Sequence, residues 1–300
     1  MRKIKFENFV WIDINQNLED DIEILNGIMN IDESTETFLR SPIHLQRLEE
    51  FPKYMAVVLK YPLYDKDKRK NWAIELDIIM KEGIFVTAHS EELFFLNDIF
   101  NNLNNHNLNF KSPISLYLHI IENMLHSCLT PLNRIAEKID FIEEEIFRGK
   151  ERDMISEISV IKRDVLDFRK ILRLHKSTID SSLKVAPRYF ESDLDIDNKQ
   201  VYDISSINIH IWNITENLKE SIEAFDDTNQ TLLSYKLNQN IKAMTFFSTT
   251  IAPAALFVSL MNMNSVPNIL KTQYSFYFVL FSIFLLTYGL YLYFKKKEII

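Results

Sequence analysis

The sequence predicts an α+β domain, continued by one long stalk helix and closed by two transmembrane helices near the C-terminus. Three observations carry that prediction. Residues 243–261 and 274–294 are uncharged over about the length needed to cross a bilayer core as a helix. Between Arg188 and Ala252 no proline or glycine occurs, and apolar residues recur three and four apart. Residues 1–109 hold short β-branched and aromatic runs with helical patterns between them.

Composition narrows the function classes. With 34 Lys and Arg against 42 Asp and Glu, the net charge of −8 argues against nucleic acid as a partner, whose phosphates recruit cationic side chains. An acidic body is compatible with cation binding. Cys128 is the single cysteine, so no intrachain disulfide forms. MRKIKFENFVWIDIN lacks the apolar region and small-residue cleavage site of a signal peptide. There are 4 glycines and no GxxxxGK[ST], GxGxxG or HExxH, so neither an enzyme nor a bound cofactor is expected.

Taken in order, Phe9–Ile14, Tyr54–Tyr61, Trp72–Met80 and Ile84–Ala88 read as strands, with helices over Leu18–Met29 and Leu93–Leu103. Residues 110–187 read as a helical hairpin, with Pro113 near its start and Gly149 at its turn. Glu143, Glu144 and Glu145 precede that turn, where a solvated helix face competes with a metal site. Lys184–Asp193, containing Pro187, is the expected hinge into the stalk, residues 188–242. Ile204, Ile207, Ile211, Ile214, Leu218, Ile222, Phe225 and Leu232 form the stalk's apolar seam, which an ordinary coiled coil would also explain. Asp203, His210 and Asn217 are spaced by seven, as are Thr231, Asn238 and Thr245, with Asp227 on the same broad face. Carboxylates and amides suit the outer shell of hydrated Mg²⁺.

The first span carries Ser248, Ala252, Ala255 and Ser259 on one stripe, leading to Asn262. Two readings fit: a small-residue face for close helix packing, and the wall of a water-filled pore. Pro253 removes a backbone hydrogen bond, for which the Thr249 and Thr250 hydroxyls are expected to compensate in part. A short loop, 262–273, joins the spans. The second span is uniformly bulky, and the basic tail 295–300 opens with Lys295-Lys296-Lys297. With Lys242 before the first span, the lysines place both termini in the cytoplasm.

The order of these parts resembles the CorA family of magnesium and divalent-cation channels, over almost the whole chain. WIDI (11–14), FPKYMAVVLKYP (51–62) and ELDIIMKEGIFVTAH (75–89) are similar to successive strand segments of the family's cytoplasmic domain. Residues 116–147 and 158–179 are similar to its helical hairpin. LNQNIKAMTFFSTTIAP (237–253) is similar to its stalk-to-membrane junction, with Asn238, Lys242, Thr245 and Pro253 at typical positions.

The resemblance implies a CorA-like homopentamer in the cytoplasmic membrane, with Asn238, Ile241, Met244, Ser248, Ala252, Ala255 and Ser259 lining a central pore. Ile241 and Met244 match a hydrophobic constriction near the membrane entrance. Asp203, in VYD, matches a regulatory divalent-ion position between subunits. The family's outer-mouth signature is Gly-Met-Asn, usually after Tyr; here stand Met261, Asn262, Met263 and Asn264. Met263 and Asn264 match, whereas Asn262 replaces the glycine and Met261 the tyrosine. Asn tolerates left-handed backbone, so the turn survives the exchange. A ring of Asn264 amides would offer oxygens to a hydrated cation. The outer loop has Pro267-Asn268 where relatives carry Pro-Glu, and Lys271 is its one charge.

The expected function is movement of Mg²⁺, with Co²⁺ or Ni²⁺ as further substrates, into the cytoplasm. The expected partners are the bilayer, divalent cations and further copies of the chain. Two alternatives stand beside it: a zinc transporter of the same superfamily, and a non-conducting membrane-anchored divalent sensor or scaffold.

Overall fold

The computed structural model describes residues 1–15, 45–65, 70–105, 109–190, 198–261 and 273–296, together with the helical positions Asp21, Glu23, Leu25 and Gly27. The chain divides into two compact units, Met1–Asp226 and Asp227–Ile300.

The first unit contains the α+β body expected over residues 1–109, together with the hairpin segment and the first part of the long helix. Its sheet contains β1 (Arg2–Lys5), β2 (Val10–Asn15), β3 (Arg47–Glu50), β4 (Met55–Asp65), β5 (Lys70–Lys81) and β6 (Ile84–His89), ordered β1-β2-β6-β5-β4-β3. Four of these correspond to the predicted strands. The other two, RKIK and RLEE, are the edge strands, where charges deter further pairing and erase the apolar alternation. β2 pairs with β6 in parallel, Val10 opposite Ile84, and the other neighbours are antiparallel.

Side chains alternate across a strand, so β2 and β6 feed two different cores. Ile12, Ile14, Val86 and Ala88 join Ala56, Val58, Ile79 and Leu25 on one side. Each of the larger ones contributes roughly 1.5–3 kcal/mol by leaving water. On the alternate positions Trp11 stacks on Phe100, ring centroids 3.9 Å apart, and meets Phe85 edge-on.

Asp13 lies beside Trp11 in this second core and is 3% exposed. Thr87 Oγ1 donates to its Oδ1 at 2.6 Å, and Trp11 Nε1 donates in turn to Thr87 Oγ1 at 2.9 Å. His89 Nε2 lies 3.1 Å from Oδ1, and Arg2 donates to Oδ2 through Nε (3.0 Å) and Nη2 (2.6 Å). Burial pushes the Asp13 carboxyl up, but His89, Thr87 and Arg2 together outweigh it and hold it below its ordinary value. The buried carboxylate is thus paired and hydrogen-bonded, the condition for tolerating it there.

The helices are α1 (Phe94–Asn105), α2 (Pro113–Phe147), α3 (Glu151–Leu172), α4 (His175–Val185), α5 (Asn198–Met261) and α6 (Gln273–Lys296), with a 3₁₀ turn at Ala186–Arg188. α2 starts where its sequence dictates: Ser112 is the N-cap, exchanging hydrogen bonds with Ser115, and Pro113 supplies the first helical residue. It ends at Gly149, whose φ of 89° sits in the left-handed region. Lys150 N bonds Glu145 O and Gly149 N bonds Ile146 O, the paired closure of a Schellman motif. The predicted helical hairpin is therefore α2 and α3, which pack on each other, with α3 also against β4 and β5.

α4 packs on β3 and β4. Its first residue, His175, is fully buried and donates from Nε2 to the Lys60 carbonyl at 2.7 Å. Burial pushes this imidazole down to about 4, the Lys60 hydrogen bond acting against it. The expected hinge coincides with the end of α4 and the 3₁₀ turn; residues 191–197 lie outside the described set, as do the remaining positions of the predicted Leu18–Met29 helix.

Candidate functional site

The segment Asn198–Met261, read from the sequence as stalk and first span, is a single 64-residue helix, α5, with Pro253 inside it. In the N-terminal unit its buried seam is Ile204, Asn208, Ile211, Thr215, Leu218 and Ile222, at alternating spacings of four and three. The seam is held against the hairpin from both sides. Gln200 donates to Glu122 of α2 at 3.1 Å, Lys162 of α3 pairs with Asp226 at 2.8 Å, and Arg169 pairs with Glu216 while lying over Trp212. Ile207, Ile214 and Phe225, expected in the seam, are half-buried.

Beyond Asp226 the character of α5 changes. Asn238, Ile241, Met244, Ser248, Ala252, Ala255 and Ser259 are all exposed in the single chain. At about 100° per residue they fall within an arc of roughly 120° on one helix face. Large apolar side chains around the same stretch are bare as well: Met244 is 70% and Phe247 61% exposed. α6 repeats this, from Tyr274 through Phe278 and Phe284 to Leu292. Phe246 of α5 meets Phe294 of α6 edge-on at 5.9 Å. Among the described residues no helix is long and apolar enough to cross a membrane. The side chains of Ala254, Phe257 and Leu260 are outside that set, as is the whole 262–272 segment with Asn262, Met263 and Asn264.

The expectation for Pro253 needs correction. Its missing N–H leaves the Thr249 carbonyl without its helical donor. The Thr249 hydroxyl donates instead to Thr245 O, and the Thr250 hydroxyl to Phe246 O, both at 2.8 Å. Thr245 likewise bonds Ile241 O at 2.8 Å. The reason is directional: helical side chains tilt toward the N-terminus, so a threonine reaches the preceding turn and not the carbonyls ahead of it.

In the N-terminal unit, Asp203 is half-buried on α5, and His210 and Asn217 are exposed. Among the described residues no group of three or more His, Cys, Asp or Glu side chains is placed to hold a metal ion. The acidic cluster before Gly149 is engaged elsewhere. Glu144 pairs with Arg148, and Glu145 with Lys150 and Arg148, whose hydrogen bonds hold the Glu145 carboxyl below its ordinary value.

Two polar groups escaped the sequence reading. Asp164 of α3 is 3% exposed with Oδ1 unpaired among the described residues, and burial pushes its carboxyl up against the pull of Arg163 and Lys138. Asn208 of α5 is buried with Nδ2 unpaired among the described residues. Both occupy core positions of an apolar stripe, Asp164 between Ile161 and Phe168, Asn208 between Ile204 and Ile211. That intrusion was the available signal.

A family model described as CorA-like Mg²⁺ transporter protein matches residues 6–296. The chain belongs to the CorA family. Its function is accordingly that of a CorA-type divalent-cation transporter. The cobalt/magnesium transport protein CorA of Thermotoga maritima is 22% identical over 260 residues, covering 84% of this chain and 72% of that protein. The complete CorA magnesium transporter of Methanocaldococcus jannaschii superposes with a TM-score of 0.81 at 18% identity, over 98% of this chain and 93% of its own. The ZntB cytoplasmic domain of Vibrio parahaemolyticus gives a TM-score of 0.60 at 14% identity, over 76% of this chain and 89% of its own. At such identities these superpositions speak for the fold alone. They place the long helix and the α+β body within CorA architecture.

Proposed function

We propose that the chain admits Mg²⁺ to the cytoplasm through a pore built from five copies, each contributing residues 243–261 to the wall and 274–294 to the lipid-facing ring. The observation that carries this reading is the bare surface of the C-terminal unit. A helix that leaves Met244, Phe247 and Ile251 more than half exposed beside an exposed stripe of Ser248, Ala252, Ala255 and Ser259 needs lipid on one side and copies of itself on the other. Lys242 and Lys295–Lys297 orient both termini to the cytoplasm. Asn264 amides ring the outer mouth, Ile241 and Met244 form the closed constriction, and Asp203 holds a regulatory divalent ion with a neighbouring copy. Mg²⁺ surrenders its waters reluctantly, so an amide-ringed mouth that bonds to the hydrated ion, leading to a wall of small and hydroxyl-bearing side chains, suits it.

A second reading rests on the variant mouth. Asn262 in place of glycine and a loop without Asp or Glu favour a relative with altered ion preference, zinc first. Flux into proteoliposomes of the purified protein, with Mg²⁺ and Zn²⁺ offered separately to lumenal indicators, decides between them. Saturable Mg²⁺ entry is the expected result. Zn²⁺ entry alone transfers the protein to the zinc reading, and a stable oligomer passing neither ion is a sensor or scaffold.

A further inference from the structure

A cleft of about 310 Å³ opens in the N-terminal unit between the sheet and the last turn of α3. Three cations from separate places in the sequence line it: Lys60 of β4, and Lys170 and Arg173 at the end of α3. Among the described residues Asp167 is the one carboxylate of the lining. The ion pairs nearby are made by other residues, Arg169 with Glu216, Lys176 with Asp180 and Arg188 with Glu50. Trp72 of β5 joins the lining with 37% of its surface exposed.

Gln46 supplies a second, independent observation. It lines the same cleft at 7% exposure, its Nε2 donates to the Ile171 carbonyl at 2.5 Å, and its buried Oε1 meets no donor among the described residues. A buried amide oxygen without a donor is costly, and a ligand N–H aimed at it would remove that cost.

The bland account is that Lys170 and Arg173 offset the negative end of the α3 dipole and are otherwise solvated. It leaves out Lys60, which comes from a strand, and it leaves out the Gln46 oxygen and the bare indole. A ligand with an anionic end, an aromatic plane and an N–H donor accounts for all of them.

We propose that this cleft binds a nucleotide. Lys60, Lys170 and Arg173 take the phosphates through charge-assisted hydrogen bonds. The base lies on the Trp72 indole, and its amine hydrogen reaches Gln46 Oε1 once that buried side chain turns toward the cleft. Asp167 accepts from ribose hydroxyls. The volume sits at the low end of the roughly 300–1,000 Å³ of small-molecule pockets, which fits one nucleoside with its phosphates and not a dinucleotide.

The test is calorimetric titration of ADP into the purified full-length protein in detergent, with pyrophosphate and adenosine as separate probes. Saturable ADP binding is expected, tighter than either fragment. The double variant Lys170→Ala with Arg173→Ala weakens it at least tenfold, and Trp72→Ala weakens it about fivefold or more. Lys170 and Arg173 are exposed, so an unchanged melting temperature certifies that these variants fold. Absence of ADP binding at millimolar concentration overturns the proposal. So does ADP binding indifferent to the double variant. Pyrophosphate binding as tight as ADP and indifferent to Trp72→Ala reduces the cleft to a polyanion site and also overturns it. Binding is read without flux, so none of these results bears on transport.

Discussion

His175 makes the pH response of the N-terminal unit calculable. Its imidazole is fully buried, donates to the Lys60 carbonyl, and has no donor for Nδ1 among the described residues. The ring is therefore held neutral, with its pKa pushed from 6.5 down to about 4. The folded value lies below the unfolded one, so the stabilisation is complete above about pH 6.5 and drains away as pH falls toward 4. With those two values, linkage gives a loss of about 1 kcal/mol at pH 5.5 and about 2–3 kcal/mol at pH 4.5. His175→Gln keeps an N–H for Lys60 and cannot titrate in this range. Urea unfolding of both proteins in detergent, followed by tryptophan fluorescence at several pH values, isolates the effect. The wild-type and variant stabilities should converge by those amounts on acidification, carboxylate titrations cancelling between them. Parallel curves from pH 7 to 4.5 would refute the assignment of a buried neutral imidazole.

Asp13→Ala should cost about 3 kcal/mol of stability in the same unfolding assay, because Arg2 and His89 lose the carboxylate that pairs them. Its depressed pKa makes the Asp13 contribution fade only as pH falls below the ordinary carboxylate value of 3.8, where the His175 window ends. Gly149→Ala should cost about 1–2 kcal/mol, since φ of 89° strains any side chain at the hairpin turn; an unchanged melting temperature would contradict the Schellman closure. Ile241→Ala or Met244→Ala should raise leak through proteoliposomes held in the closed state, and unaltered leak removes these two from the gate. Asn264→Ala should abolish selective Mg²⁺ uptake, and normal uptake would take Asn264 out of the mouth.

The four inner strands were legible because each is buried on both sides or nearly so, which concentrates Ile, Val and aromatic residues. RKIK and RLEE were not, because an edge strand advertises charge. The length of α5 followed from the absence of breakers, and Gly149 and Pro113 sat where their backbone chemistry requires. The Asp13 cluster was illegible for a different reason. Its members come from residues 2, 11, 13, 87 and 89, and only the parallel β2–β6 register brings Asp13 opposite Thr87. The lining of the α3 cleft is similarly dispersed between residues 46 and 173. Of the residues proposed to line the pore, the shared helix face from Asn238 to Ser259 was readable from periodicity, because one continuous helix preserves phase. The direction of the threonine hydroxyls was not, since it depends on rotamers and not on spacing.

The parallel pairing at the centre of the sheet also sets a timetable. Every other strand pair can close as soon as its hairpin is made, but β2 has no inner neighbour until β6 exists. Trp11 finds its partner Thr87 76 residues later in the chain. At roughly 5–20 residues per second of synthesis, that is about 4–15 s during which VWIDIN waits with its inner edge unpaired. The nascent chain therefore carries an adhesive strand while the β3–β5 meander is still being assembled. Chaperones that act on emerging chains would find β2 open throughout that interval.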